Sequence, residues 1–250
     1  MSEKLPKVFW EIHCGLKRQG PGDNESTTKA YKMLKDLPPK PRILDIGCGS
    51  GMQTVQLAKL SGVQIEAVDN YQPFLDDLVK TAKTEGVSNQ INAVKGDMLN
   101  LTYESGSFDI VWSEGAIFII GFEKGLREWK HLLTENGYVV VSDLTWFRTD
   151  VPQEAKEFMN LMDASVKTAE ENLHIARNLG YRVVGSFVLP TQSWWTYYYD
   201  PIKEKLPALK EKHKGNQESL QGIAMEETEI EMFRKYSDYY GYVFYIMQNK

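Results

Sequence analysis

From Pro41 onward the chain alternates short apolar runs with amphipathic segments. Residues 42–46, 64–69, 91–95, 108–112 and 138–143 read as strands. Between them the 3.6-residue spacing of apolar positions predicts helices over 52–60, 72–85 and 123–133, the last capped by Gly137. Ahead of this region, residues 26–37 read as one helix with Ala30, Met33, Leu34 and Leu37 on one face. Short β-rich runs buried on both faces and separated by helices predict an α/β fold with a doubly wound, mainly parallel sheet.

The last third departs from that rhythm. A helix over 169–179 ends at Gly180, a strand over 182–189 stops at Pro190, and a strand over 241–247 closes the pattern. Between the two strands lie an aromatic cluster from Trp194 to Tyr199, a Lys-rich stretch over 203–214 and a helix over 217–239. A segment of that length is an elaboration packed on the sheet, and 147–166 reads as a second insert. In α/β sheets, ligands bind beyond the carboxyl ends of the strands, where such inserts form lids.

Composition narrows the class. The 250 residues carry 29 Lys plus Arg against 34 Asp plus Glu, a net charge of −5, and 42% are hydrophobic. Such values exclude intrinsic disorder and a collagen-like chain, and give nucleic acid no electrostatic footprint. Cys14 and Cys48 cannot build a disulfide framework and suit a reducing, cytoplasmic compartment. The longest apolar stretch, 116–120, is too short for a membrane span, and Met1-Ser-Glu-Lys-Leu-Pro6 carries no apolar core of a signal peptide.

The strongest chemical signal is Ile43-Leu-Asp-Ile-Gly-Cys-Gly-Ser-Gly-Met52. An apolar strand runs into Gly47, Gly49 and Gly51 and a helix follows, so the backbone turns sharply, a ligand can approach closely and helix N–H groups face it. Asp69 ends the next strand about 20 residues after the first glycine, the spacing of a carboxylate that accepts ribose hydroxyls. The loop is shorter than the dinucleotide fingerprint, and Asp45 sets a carboxylate where a pyrophosphate would be repelled and the ammonium of a methionyl group would be welcome. Gly96-Asp97-Met98 follows the third strand, where Asp97 can accept from an adenine amine. An adenosine with a positive tail fits, and the expected cofactor is S-adenosylmethionine.

With these residues in place, the segment from about Pro41 to Asp143 resembles the class I S-adenosylmethionine-dependent methyltransferases, in particular the small-molecule branch that includes the ubiquinone/menaquinone-biosynthesis type. The resemblance rests on Ile43 to Gly51, Val68-Asp69, Gly96-Asp97-Met98, Phe108 to Gly115, and Leu126 to Trp146. It implies a Rossmann-like sheet of seven strands whose last runs antiparallel, here 241–247. It also implies that Asp45 and Gly47 meet the methionine part, Gly49 the cofactor, Asp69 the ribose, and Asn70, Asp97 and Met98 the adenine. Ser113 and Glu114 would line the methyl-transfer side. One domain over 1–250 follows: a helical cap over 1–40, a cofactor core over 41–146, and inserts 147–168 and 190–240 over the acceptor site.

In-line displacement at a sulfonium needs positioning above all, and a general base where the nucleophile must lose a proton. Glu114, at the carboxyl edge of the fourth strand, and His13, in a segment able to fold over the site, are the base candidates. His174 is a weaker one, and His131 and His213 read as surface residues. Asp109 reads as structural, and no metal site is expected. Trp10, Trp146, Trp194, Trp195 and Tyr197 to Tyr199 either line a pocket for a flat, apolar or cationic acceptor, or pack the inserts or a homodimer contact. The leading expectation is methyl transfer to a small molecule. The alternatives are an RNA or protein acceptor, against which stand the missing basic stripe and the missing Asn/Asp-Pro-Pro-Tyr/Phe motif, and a non-catalytic cofactor-binding module.

Overall fold

A computed structural model describes residues 7–250, so the opening Met1 to Pro6 lies outside the described residues. The central sheet runs in the order β3 (Ile91–Lys95), β2 (Ile65–Asp69), β1 (Ile43–Ile46), β4 (Phe108–Glu114), β5 (Leu133–Trp146), β8 (Tyr240–Asn249) and β7 (Tyr181–Val188). A two-residue strand, β6 (Lys167–Thr168), pairs with the end of β5. The strands β3 to β5 are parallel, and β8 is antiparallel to both its neighbours. This is the expected Rossmann-like sheet of seven strands, with β6 as an unforeseen appendix. Every residue of β1 and all but the last of β8 are buried, which explains why both are mainly apolar, with Asp45 and Gln248 as buried polar exceptions.

Helices α3 (Met52–Ser61) and α4 (Gln72–Thr84) flank the sheet on one side, α5 (Phe122–Trp129) and α7 (Ala169–Asn178) on the other. The cap is built from α1 (Lys7–His13), α2 (Asn24–Lys32) and α6 (Gln153–Leu161). A helical arm joins it: α8 (Gln192–Trp194), a π turn (Trp195–Tyr199) and α9 (Asp200–Lys212), with α10 (Gln217–Tyr236) folded back beside it. Among the described residues no helix is long and apolar enough to cross a membrane.

Two local expectations are corrected, and a third, left open between alternatives, is narrowed. The helix expected over 26–37 stops at Lys32, because the Tyr138 hydroxyl donates to the Lys35 carbonyl (3.0 Å) and accepts its N–H (3.2 Å), replacing helical bonds. The helix expected over 123–133 ends at Trp129, and Leu133 already pairs with Phe108, so Gly137 lies inside β5 and caps nothing. The aromatic cluster packs inward: Trp194 is stacked on Phe233 with centroids 4.1 Å apart and meets Tyr242 edge-on at 4.9 Å. With Trp194, Tyr198 and Tyr199 buried, a homodimer contact would have to be built on other residues.

Candidate active site

Strand β1 delivers its chain to a turn in which Gly47, Gly49 and Gly51 all have positive φ. At Gly47, with φ of 72°, a Cβ would stand 2.5 Å from that of Ala116, so no other residue fits without moving the β4 loop. The turn's amides are largely satisfied from within. Gly47 and Cys48 donate to the Val68 carbonyl, Gly49 to Oδ2 of Asp69 (2.9 Å), and Ser50 to Oε1 of Gln19 (2.6 Å). The N–H groups expected to face a ligand here are therefore partly spent, and recognition passes to carboxylates.

Asp69, at the end of β2, uses its other oxygen to accept the Tyr71 N–H at 2.9 Å. Burial raises its pKa, and the backbone donors hold it down. Two of its four lone-pair positions remain for a pair of hydroxyls. Asn70 is exposed beside it, and Tyr71 is stacked on Trp10 of α1 with centroids 3.9 Å apart, so the cap touches the loop directly. Asp97 is exposed and accepts the Leu99 N–H at 2.9 Å. Met98 sends its terminal methyl toward Gly47. The expected ribose and adenine residues thus share one edge of the sheet.

Deeper in, Asp45 is fully buried, with Oδ2 accepting from Thr54 Oγ1 at 2.6 Å and Gln53 Nε2 at 3.3 Å. Burial pushes its pKa up to about 7. Glu114 is also buried, and three donors reach it: Arg18 through a buried ion pair, Thr27 Oγ1 at 2.8 Å and Trp112 Nε1 at 2.9 Å. A carboxylate so occupied positions Arg18. Ser113 alternates to the opposite face and donates to the Ile46 carbonyl at 2.9 Å, tying β4 to β1 rather than pointing with Glu114.

His13 is buried under the cap. Its Nδ1 donates to the Phe9 carbonyl (2.8 Å), which leaves Nε2 to accept the Tyr198 hydroxyl (3.2 Å). Burial first, then the Lys205 charge, lowers its pKa to about 4, so the ring is neutral at physiological pH. His174 is exposed on α7, and Asp109 accepts from the Arg42 N–H and Thr134 Oγ1, as a structural residue does. Among the described residues no cluster of three or more His, Cys, Asp or Glu is placed to hold a metal.

Residues that spacing did not single out complete the centre. Arg18 and Gln19 come from the Gly/Pro-punctuated segment before α2. Asp143, at the carboxyl end of β5, is buried with its pKa raised to about 7 by that burial. Tyr242 of β8 lies over Gly115, within the field of Asp143. Two buried atoms at the centre have no hydrogen-bond partner: Oδ1 of Asp45 and Nη1 of Arg18. One is an acceptor in want of a cation and the other a donor in want of an anion. Each feels the other's field, since Arg18 lowers the Asp45 pKa. The amino and carboxylate groups of a methionyl tail satisfy both, so these residues fit S-adenosylmethionine. The surface hollow of about 610 Å³ lined by Ile43, Gln64 and Phe108 lies at the amino ends of the strands, away from this chemistry.

Residues 43–137 match a family model described as a methyltransferase domain. A sterol 24-C-methyltransferase of Gibberella zeae is 32% identical over 110 residues, 44% of this chain and 28% of that one. The chain spans half or less of the curated relatives it matches first. Among solved structures, a methyltransferase of Geobacter sulfurreducens, determined with S-adenosyl-L-homocysteine, superposes with a TM-score of 0.83 at 20% identity, over 98% of this chain and 99% of that one. The [4+2]-cyclase SpnF superposes with a TM-score of 0.76 at 15% identity, over 97% and 91%, so this fold also serves another reaction. Residues 43–137 are thus similar to methyltransferase domains, and the chain has the fold of solved S-adenosylmethionine-dependent methyltransferases.

Proposed function

We propose that this chain transfers a methyl group from S-adenosylmethionine to a small-molecule acceptor, in a reducing, cytoplasmic setting. The observation that carries the reading is the complementary pair of unpartnered buried atoms, Oδ1 of Asp45 and Nη1 of Arg18, beside the glycine turn and Asp69. The cofactor supplies an electrophilic methyl group on a sulfonium. Asp45 then holds the amino group of the tail, Arg18 its carboxylate, Asp69 the ribose diol, and Asp97 with Asn70 and Met98 the adenine. Glu114 fixes Arg18 from behind. The cap, residues 7–40, and the inserts 147–168 and 190–240 close over the carboxyl ends of the strands and exclude water, the condition under which positioning is most effective.

The net charge of −5 and the absence of a basic stripe in the sequence favour a small acceptor over nucleic acid. Calorimetric titration with S-adenosylmethionine and S-adenosylhomocysteine tests the reading. Binding in the micromolar range is expected, weakened about 100-fold in Asp69→Ala, which loses hydrogen bonds to a charged group. Absence of binding by a sample that mass spectrometry shows to be free of copurified ligand overturns it.

A further inference from the structure

The helix α10 carries Glu226 and Glu229 one turn apart, both directed into the protein. Glu226 is 7% exposed, and its Oε1 has no hydrogen-bond partner. Glu229 is half-buried and accepts the Tyr199 hydroxyl at 3.0 Å. Neither takes part in any of the ion pairs among the described residues. Tyr240 is 2% exposed, and its hydroxyl is also without a partner. The Glu229 charge acts on Tyr198, Tyr199, Tyr240 and Tyr242, four phenols from the π turn and β8. Tyr242 also feels Asp143 and Arg18, which links this cluster to the methyl-transfer side. Trp194 and Phe233 form the wall behind.

Two buried carboxylates without a counter-ion are costly, and a buried hydroxyl and carboxylate oxygen left unpaired add to the cost. Such a cluster is repaid by a ligand that brings positive charge and N–H donors. Aromatic faces beside it attract the same kind of group. Lys205 of α9 is spent on the carbonyls of Ile12 and Cys14, the latter at 2.7 Å. Burial together with the Glu229 charge pushes Glu226 up to about 8, and burial raises Glu229 as well.

We infer that the Glu226, Glu229 and tyrosine cluster is the acceptor subsite, and that the acceptor is an amine bound as its ammonium ion. This rests on the methyl-transfer reading above. The same pair then has a chemical use. A proton passes from the ammonium nitrogen to an ionised carboxylate of the pair, freeing the nitrogen lone pair. That pair forms the N–C bond to the methyl group while the C–S bond breaks, its electrons staying on sulfur, and the positive charge passes from sulfur to nitrogen.

The test titrates the full chain with benzylamine, protonated at neutral pH, and with benzyl alcohol, its neutral counterpart, each with and without saturating S-adenosylhomocysteine. Benzylamine is expected to bind at least about tenfold tighter. In Glu226→Gln/Glu229→Gln that preference falls to within about twofold, while affinity for S-adenosylhomocysteine stays within about twofold of the parent. Tyr240→Phe, which removes only the unpaired hydroxyl, lowers the preference about two- to fivefold and serves if the double variant does not fold. Equal binding of the two probes by the parent chain overturns the inference, as does a preference that survives the double substitution. Failure to bind S-adenosylhomocysteine instead overturns the methyl-transfer reading, while the amine preference is still read from the titrations without it.

Discussion

The two halves of the candidate site treat their polar groups in opposite ways. On the glycine-turn side, Asp69 is held by two backbone N–H groups, and the turn's own amides find carbonyls, Asp69 or Gln19. Under the cap, Glu226 Oε1 and Tyr240 Oη are buried without partners, and Asp45 Oδ1 and Arg18 Nη1, the pair assigned to the methionyl tail, are the unpartnered atoms of the cofactor side. The first half is built by contacts local to two adjacent βα turns, and it is stable as it stands. The second is assembled from α1, the π turn, α10 and β8, which meet only in the folded chain. On the proposed reading, nucleoside recognition is thus largely preformed, and acceptor recognition is stored as unsatisfied charge beneath a cap.

The contrast breaks most severely at Arg18, the charged residue that ties the cap to the end of β4. Replacing Arg18 with Leu leaves Glu114 buried with only the neutral donors Thr27 and Trp112. Removing one partner of a buried pair costs about 3–5 kcal/mol. Denaturant unfolding should show a loss of that size, with binding of S-adenosylhomocysteine also lost. A loss below about 1 kcal/mol would mean that the pair is exposed in solution, as surface pairs are worth no more than this.

The same contrast explains what could be read from the chain alone. Asp45, Gly47, Asp69 and Asp97 sit at fixed distances from strand ends, and a period-2 strand followed by a helix translates those distances into space. The antiparallel closing strand, 241–247, followed from the family resemblance that these segments carry. Glu114 is different: its position at the end of β4 was legible, but its role was not, because nothing local relates residue 114 to residue 18. The expected base proves to be the anchor of an arginine. His13 likewise faces Tyr198 across the fold, and burial lowers its pKa below the range useful for a base. The helix ending early at Lys32 has the same origin, since its competitor is the hydroxyl of the distant Tyr138.

A smaller effect follows from the buried acids. Asp45 and Asp143 have pKa values raised to about 7, and Glu226 to about 8. An acid raised on folding keeps its proton in the native chain after the unfolded chain has lost it. The native state therefore binds more protons between the ordinary carboxylate value and the raised one, and stability falls as pH rises through that window. His13, lowered to about 4, acts in the other sense, adding stability as pH rises from about 4 to 6.5. Above pH 6.5 the acids are unopposed, each contributing a slope of at most about 1.4 kcal/mol per pH unit. Melting followed by circular dichroism should show a lower Tm at pH 8 than at pH 6.5, and Asp143→Asn should flatten the decline. A Tm that rises over this interval would show these carboxylates to be solvated.

The smallest expected effect probes the seam between the halves. The Gln19 amide accepts the Ser50 N–H at 2.6 Å and donates to the Leu16 carbonyl at 3.3 Å, so one side chain of the cap closes the glycine turn. Gln19→Ala removes one neutral hydrogen bond to the turn, worth about 1 kcal/mol. If Gln19 only braces the turn, denaturant unfolding should shift by that amount and affinity for S-adenosylhomocysteine should be little changed, because Asp45, Arg18 and Asp69 are untouched. If the cap instead sets the turn's geometry, affinity should fall with stability by a similar factor of about five. The first result would sharpen the division into a preformed nucleoside half and a separate acceptor half, and the second would show that the cap completes both.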